Sequence, residues 1–273
     1  MFQTQVKSSK SRSAFFILEL MYHATVRQLR QSHRSAVIGL LMNMMQMVIF
    51  ILAFVLLFQM LGMRSAAVRG DFLLYIMSGI FVYMTHIKSV SAVMGSEGPT
   101  SAMMQHAPMN TAIAISASAL STLYIQVLSL VLILTVYHIA FVPITIDQPV
   151  AAMGMVLLSW FSGCAVGMVL LAIKPWAPTL VSVIQTIYIR ANMIASGKMF
   201  LANSLPAHML AMFDWNPLFH IIDQARGFIF LHYNPHFSNI PYPIYVALTL
   251  LMIGLMGEFY TRRNASTSWN AAR

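Results

Sequence analysis

Lys88 and Arg190 are the residues whose type and position most demand a chemical explanation, because each is a cation within an otherwise apolar stretch. A cation near the centre of a membrane helix costs about 2.5–3.5 kcal/mol on insertion scales, so such residues face protein or a polar cavity. Arg190 sits near the middle of its stretch. Lys88 lies about two turns from the end of its own, where its stem can snorkel towards the headgroups. A cationic lining favours an anionic passenger. Tyr75, Tyr83, Tyr124, Tyr137 and Tyr188 offer ring faces on which sugars stack, although anchoring at the membrane interface is the commoner use of such tyrosines. Tyr83 and Tyr188 join the two cations as candidates for lining a substrate path.

Catalysis finds little support. The seven acidic residues, Glu19, Asp71, Glu97, Asp147, Asp214, Asp223 and Glu258, are scattered along the chain. A membrane acyl- or glycosyltransferase would need acids, bases or metal ligands gathered at one interface. His220 and Asp223 are three apart and can hydrogen-bond locally, while Pro235 between His232 and His236 spoils the shared helix a metal site there would need. No His-Glu-x-x-His and no Gly-x-x-x-x-Gly-Lys-Ser/Thr loop occurs, so no metal, cofactor or nucleotide is expected to bind through these motifs. If the chain moves something uphill, the energy must come from another subunit. The lone Cys164 excludes a disulfide framework and a cysteine metal site.

The elements that position these residues are six apolar stretches, Val37 to Leu61, Phe72 to Met94, Thr111 to Val142, Val150 to Ile173, Pro178 to Phe200 and Ile244 to Tyr260. A span needs roughly 20 apolar residues to cover about 30 Å of hydrocarbon. The last is short and borrows from Ile240 to Pro243. Of 273 residues, 59% are hydrophobic and 8% charged, against about 25% charged in soluble domains. The 23 methionines fit adaptable packing. The net charge of +9 serves topology, not nucleic-acid binding. Lys7, Lys10, Arg12, Arg27, Arg30 and Arg34 precede the first stretch, Arg262, Arg263 and Arg273 follow the last, and Lys174 lies between the fourth and fifth. Six crossings put all of these on one side, the positive-inside pattern, with both termini cytoplasmic. No cleavable signal peptide is read, so the first span serves as signal and anchor.

Outside the spans lie three further segments. Ser13 to Arg34 reads as an amphipathic helix, with Phe15, Leu18, Tyr22, Val26 and Leu29 on one stripe, suited to the cytoplasmic headgroup layer or to a basic topogenic flank. The loop Gly95 to Asn110 accommodates a short helix from Pro99 to Ala107, either a docking knob or a plain connector. The outer segment from Phe200 to Tyr242 is apolar but broken by Pro206, Asp214, Asn216, Pro217, Asp223, Arg226 and Pro235. Runs this short read as re-entrant or interfacial helices, with a surface-lying loop as the alternative. In the fourth span, Ser159, Gly163 and Gly167 form a small-residue ridge that permits close helix approach.

Several stretches resemble one family, the permease subunits of type-2 ABC exporters, in particular those that export capsular polysaccharide. Arg30-Gln-Ser-His-Arg-Ser-Ala-Val-Ile-Gly-Leu-Leu looks like that family's basic lead into the first span. Ser196-Gly-Lys-Met-Phe followed by Asn203-Ser-Leu-Pro206 is similar to the end of its fifth span. Asn216-Pro-Leu-Phe-His-Ile-Ile-Asp-Gln-Ala-Arg226 looks like the signature of its outer cap, and Ala107-Pro-Met-Asn110 resembles the end of the capsule branch's coupling helix, with Ala107 in place of a basic residue and Asn110 in place of an acidic one.

The resemblance implies an all-α integral membrane protein of the type-2 ABC exporter fold. It would have six transmembrane helices, an N-terminal amphipathic interface helix and a re-entrant outer cap before the last span, all in one transmembrane domain, 1–273. That domain divides into the tail and interface helix at 1–35, spans one to five at 36–200, the cap at 201–241, span six at 242–260 and a cytoplasmic tail at 261–273. It implies a homodimer in the bacterial inner membrane, bound to two copies of an ABC ATPase subunit that hold ATP and Mg²⁺. The passenger would be a lipid-linked acidic polysaccharide, handed to periplasmic and outer-membrane export components. Glu97, Pro99, Met103, Met104, His106 and Pro108 would dock into the ATPase. Asn216, Pro217, His220, Asp223 and Arg226 would form the outer gate, with Asp223 and Arg226 paired at i, i+3. Other lipid-linked glycans such as O-antigen or teichoic acid, or a lipid or drug, are alternative passengers.

Overall fold

A computed structural model describes residues 10–32, 36–60, 62, 71–96 and 111–264, which form helices joined by turns and loops, with no strand among the described residues. The helices are α1 (Lys10–Ser32), α2 (Ala36–Met60), α3 (Phe72–Met94), α4 (Thr111–Ala140), α5 (Pro149–Ile173), α6 (Pro178–Ala195), α7 (Ala207–Phe213), α8 (Pro217–Ile229) and α9 (Pro241–Asn264). The docking-loop residues Glu97, Pro99, Met103, Met104, His106 and Pro108 lie outside the described residues.

Local chemistry sets the helix starts. Asp71 accepts from the Leu73 N–H at 3.0 Å and so caps α3, satisfying one of the four donors a helix start leaves free. Pro149, Pro178 and Pro217 each occupy a first helical position, where the missing N–H costs nothing. Among the described residues, α2, α3, α4, α5 and α9 are long and apolar enough to cross a membrane. The fifth stretch corrects the sequence reading, because α6 stops at Ala195 and not at Phe200. Gly197 then takes a left-handed φ of +73°, a conformation that glycine alone adopts at no steric cost. At 18 residues, and carrying Gln185, Arg190 and Asn192, α6 is shorter and more polar than its neighbours. The last helix is the reverse case, starting at Pro241 and running 24 residues.

α3 is the hub. It is buried along most of its length and packs against α2, α4, α5, α6 and α8. The small-residue ridge of α5 makes its closest approach possible. The Ser159 hydroxyl donates to the Val82 carbonyl at 2.7 Å, and a Cβ at Gly163 would lie 2.5 Å from the His86 carbonyl oxygen. On its other side α5 meets α9, where a Cβ at Gly254 would come within 2.7 Å of Met168 Cβ. Thr261 bridges the same pair, donating to the Ala172 carbonyl at 2.9 Å and accepting from the Trp176 indole at 3.0 Å. α1 lies against α4 and α2; Leu18 and Tyr22 of its apolar stripe remain exposed. α2 and α9 turn broad apolar faces outward.

Candidate functional site

Residues 200–242 do not form a surface-lying loop. Leu218, Ile221, Ile222 and Ala225 of α8 are fully enclosed, in one core with Met47, Ile51 and Phe54 of α2 and with the buried residues of α3. The polar residues of the same helix fasten it on three sides.

Asn216 caps α8 by accepting from the Leu218 N–H at 3.1 Å. Its amide also donates to Asn192 Oδ1 at 2.9 Å and to the Ala195 carbonyl at 3.0 Å, binding the start of α8 to the end of α6. His220 accepts at Nδ1 from the Asn239 N–H, 3.2 Å away. A backbone N–H can only donate, so the ring proton sits on Nε2, which donates to the Asp214 carbonyl at 2.5 Å. Asp223 accepts from the Ser238 hydroxyl at 2.7 Å and from the Tyr233 phenol. Burial and the adjacent carboxylate push that phenol above its ordinary range, so Tyr233 stays a donor.

Arg226 closes the arrangement. It is 1% exposed. Its Nη1 donates to the carbonyls of Gly197 at 2.9 Å and Phe200 at 2.7 Å, and its Nη2 to the Lys198 carbonyl at 2.5 Å. The guanidinium carbon stands 4.3 Å from the centre of the Tyr75 ring. Gly79 leaves the room, since a Cβ there would come within 2.8 Å of Nη2. A planar cation at the exit of α6 thus donates to three carbonyls of the turn that follows the helix, of which Gly197 also accepts from the Phe200 N–H at 3.3 Å.

Two expectations from spacing are corrected here. Among the described residues Asp223 and Arg226 form no ion pair, and His220 does not bond Asp223. Three-residue spacing puts side chains near each other on a helix, but each found a better acceptor or donor on another segment. Exchanging the charges with Asp223→Arg and Arg226→Asp should therefore leave the double variant at least as impaired as either single one, in transport and in thermal stability. Recovery in the double would reinstate the pair.

Beside Arg226, Lys198 is a second buried cation, and one that sequence reasoning missed. It is 3% exposed, and its ammonium has no hydrogen-bond partner among the described residues. Instead it stands 3.4 Å from the Tyr83 ring centre, 5.2 Å from that of Phe54 and 5.6 Å from that of Phe50, an arrangement in which ring quadrupoles replace water. The available signal was a lysine after a glycine in an apolar run, which reads equally well as an exposed helix end. His86 was missed too. Its Nε2 meets the Tyr188 hydroxyl at 2.8 Å and its Nδ1 the Ser162 hydroxyl at 3.0 Å.

The four path candidates therefore separate. Tyr83 and Tyr188 are engaged in the interior, Tyr83 also donating to the Ile189 carbonyl at 3.1 Å. Arg190 is exposed on α6, five residues from its end and not at its middle. Lys88 alone lines an open groove, between α2, α3 and α4, and donates to Gln46 Oε1 at 2.6 Å.

The model of the ABC-2 type transporter family matches residues 19–230, which runs from within α1 to the end of α8 and takes in the whole Asn216–Arg226 signature. The chain belongs to the ABC-2 type transporter family. No curated protein matches it. As an ABC-2 membrane domain it is a multi-pass transport permease subunit, and ATP hydrolysis in such systems belongs to a separate ABC ATPase subunit.

Proposed function

We propose that the chain is the membrane-spanning subunit of an ATP-driven exporter that moves a lipid-linked, acidic capsular polysaccharide across the inner membrane. Arg190 carries the reading. It stands on the outward face of α6 beside Ile187, Met193 and Ile194, all exposed, with no ion pair among the described residues. A cation left facing lipid is costly. A second copy laid against α6 turns that face into the wall of a shared cationic path suited to an acidic polymer. In this reading α6 is the fifth of six spans, both termini are cytoplasmic, and α7 and α8 form the re-entrant cap that gates the exit. The loop 97–110 transmits the ATPase stroke, and export components of the periplasm and outer membrane take the polymer onward.

Deleting the gene and locating the polymer tests the cargo. Lipid-linked glycan should accumulate inside the cell, and unchanged surface polymer would refute the assignment. Arg190→Gln should cut surface polymer severalfold while leaving the amount of membrane-inserted protein unchanged. Equal export by this variant would remove Arg190 from the path.

A further inference from the structure

The groove beside Lys88 is a built polar site within one protomer, distinct from the outward face of α6. Its volume is about 790 Å³, within the range of small-ligand sites. The polar lining comprises Asn43 and Gln46 from α2, Lys88 and Ser91 from α3, and Thr122 and Gln126 from α4, with no carboxylate among the described residues. The Lys88 ammonium has three donors and gives one to Gln46. Gln126 is 2% exposed. It donates to Asn43 Oδ1 at 3.1 Å, and Asn43 donates to the Ser129 hydroxyl at 2.8 Å. That relay leaves Gln126 Oε1 buried with no donor among the described residues. A buried acceptor without a partner is rare and costly. The remaining wall is apolar, with Met45 and Ile49 of α2 exposed at the protomer surface. Lys88 stands six residues before the end of α3, about 9 Å along the helix axis, a depth that a headgroup drawn slightly inward can reach.

The geometry points to a glycerophospholipid site, in which the phosphate diester rests on Lys88 and a hydroxyl or ammonium of the headgroup donates to Gln126 Oε1. The apolar wall takes the first carbons of the acyl chains. The occupant is a resident membrane lipid and not the exported cargo, so the inference stands whatever the cargo is.

Four lipids separate the requirements when added to the purified full-length complex with its ATPase and read by native mass spectrometry. Phosphatidylglycerol and phosphatidylethanolamine carry both a phosphate and a donor, phosphatidylcholine carries the phosphate alone, and diacylglycerol a hydroxyl alone. The first two should be retained and the last two lost. Equal retention of all four would overturn the site without recourse to any variant. Lys88→Gln should lower phosphatidylglycerol retention about tenfold, the size of one charge-assisted hydrogen bond. Gln126→Leu should narrow the preference for phosphatidylglycerol over phosphatidylcholine. An unchanged Lys88→Gln complex, shown folded by its thermal transition, would also overturn the site. Excess soluble glycerol phosphate should not displace the lipid, and displacement would leave only a free phosphate-ester site. Complex from cells that make no polymer should bind identically. Binding that requires the polymer would assign the groove to cargo and overturn the resident-lipid claim, while leaving the export reading intact.

Discussion

Arg226→Met should abolish transport and destabilise the folded protein by about 3 kcal/mol or more. The side chain holds three carbonyls, those of Gly197, Lys198 and Phe200, in a region where Leu218, Ile221 and Ala225 are fully enclosed. Methionine fills part of the volume but donates nothing. A buried acceptor stripped of its donor costs about 1–3 kcal/mol, and water has little access to repair the loss. Arg226→Lys should recover little, because one ammonium on a flexible stem cannot reproduce a planar fork that faces carbonyls on two sides. Thermal unfolding of the purified protein and, on the proposed function, surface polymer in cells give the two readouts. Transport and stability close to wild type in Arg226→Met would mean that the packing of α8 does not depend on this clamp.

The second large effect is at Gly163, and a matched glycine on the same helix supplies the comparison. At Gly163 a new methyl would sit 2.5 Å from the His86 carbonyl oxygen and 2.9 Å from Ser89 Cβ. Both are parts of the hub helix α3, whose backbone cannot yield locally. Gly163→Ala should therefore force α5 and α3 apart, and overpacking of this kind costs about 1–3 kcal/mol. The shift would also break the Ser159 bond to Val82 and the Ser162 contact with His86. Gly154 is the counterpart, since a Cβ there meets nothing within 4 Å. Gly154→Ala should be neutral or slightly stabilising, by up to about 1 kcal/mol from helix propensity alone. Parallel thermal melts decide the matter, and equal behaviour of the two variants would show that the α3–α5 contact is looser than described.

The helices were legible from sequence to the extent that their boundaries are local events. The second stretch matches α3 at both ends because Asp71 supplies a cap and Gly95 a stop, and these are chemical facts about single residues. The fifth stretch was read five residues too long because hydropathy continues through Met199 and Phe200. What ends the helix is the left-handed Gly197 and the guanidinium waiting at Arg226, and the second lies 29 residues away in the chain. The polar residues of α8 were identified by type, but their partners were not. Local spacing proposed Asp223 with Arg226, whereas the fold offered Ser238 to one and three carbonyls to the other. Lys198 escaped notice for a related reason. Nothing in its neighbourhood foretells that Phe50, Phe54 and Tyr83, each more than a hundred residues earlier, will converge on its ammonium.

The clamp at Arg226 also bears on the order of events during synthesis. Its three acceptors precede it by 26 to 29 residues. At roughly 5–20 residues per second, translation needs about 1–6 s to cover that gap. For that interval the nascent turn after α6 has left the ribosome ahead of the arginine that stabilises it. Pausing between codons 200 and 226 would prolong this vulnerable stage and give quality-control proteases their best opening, whereas pausing after α8 has docked would not.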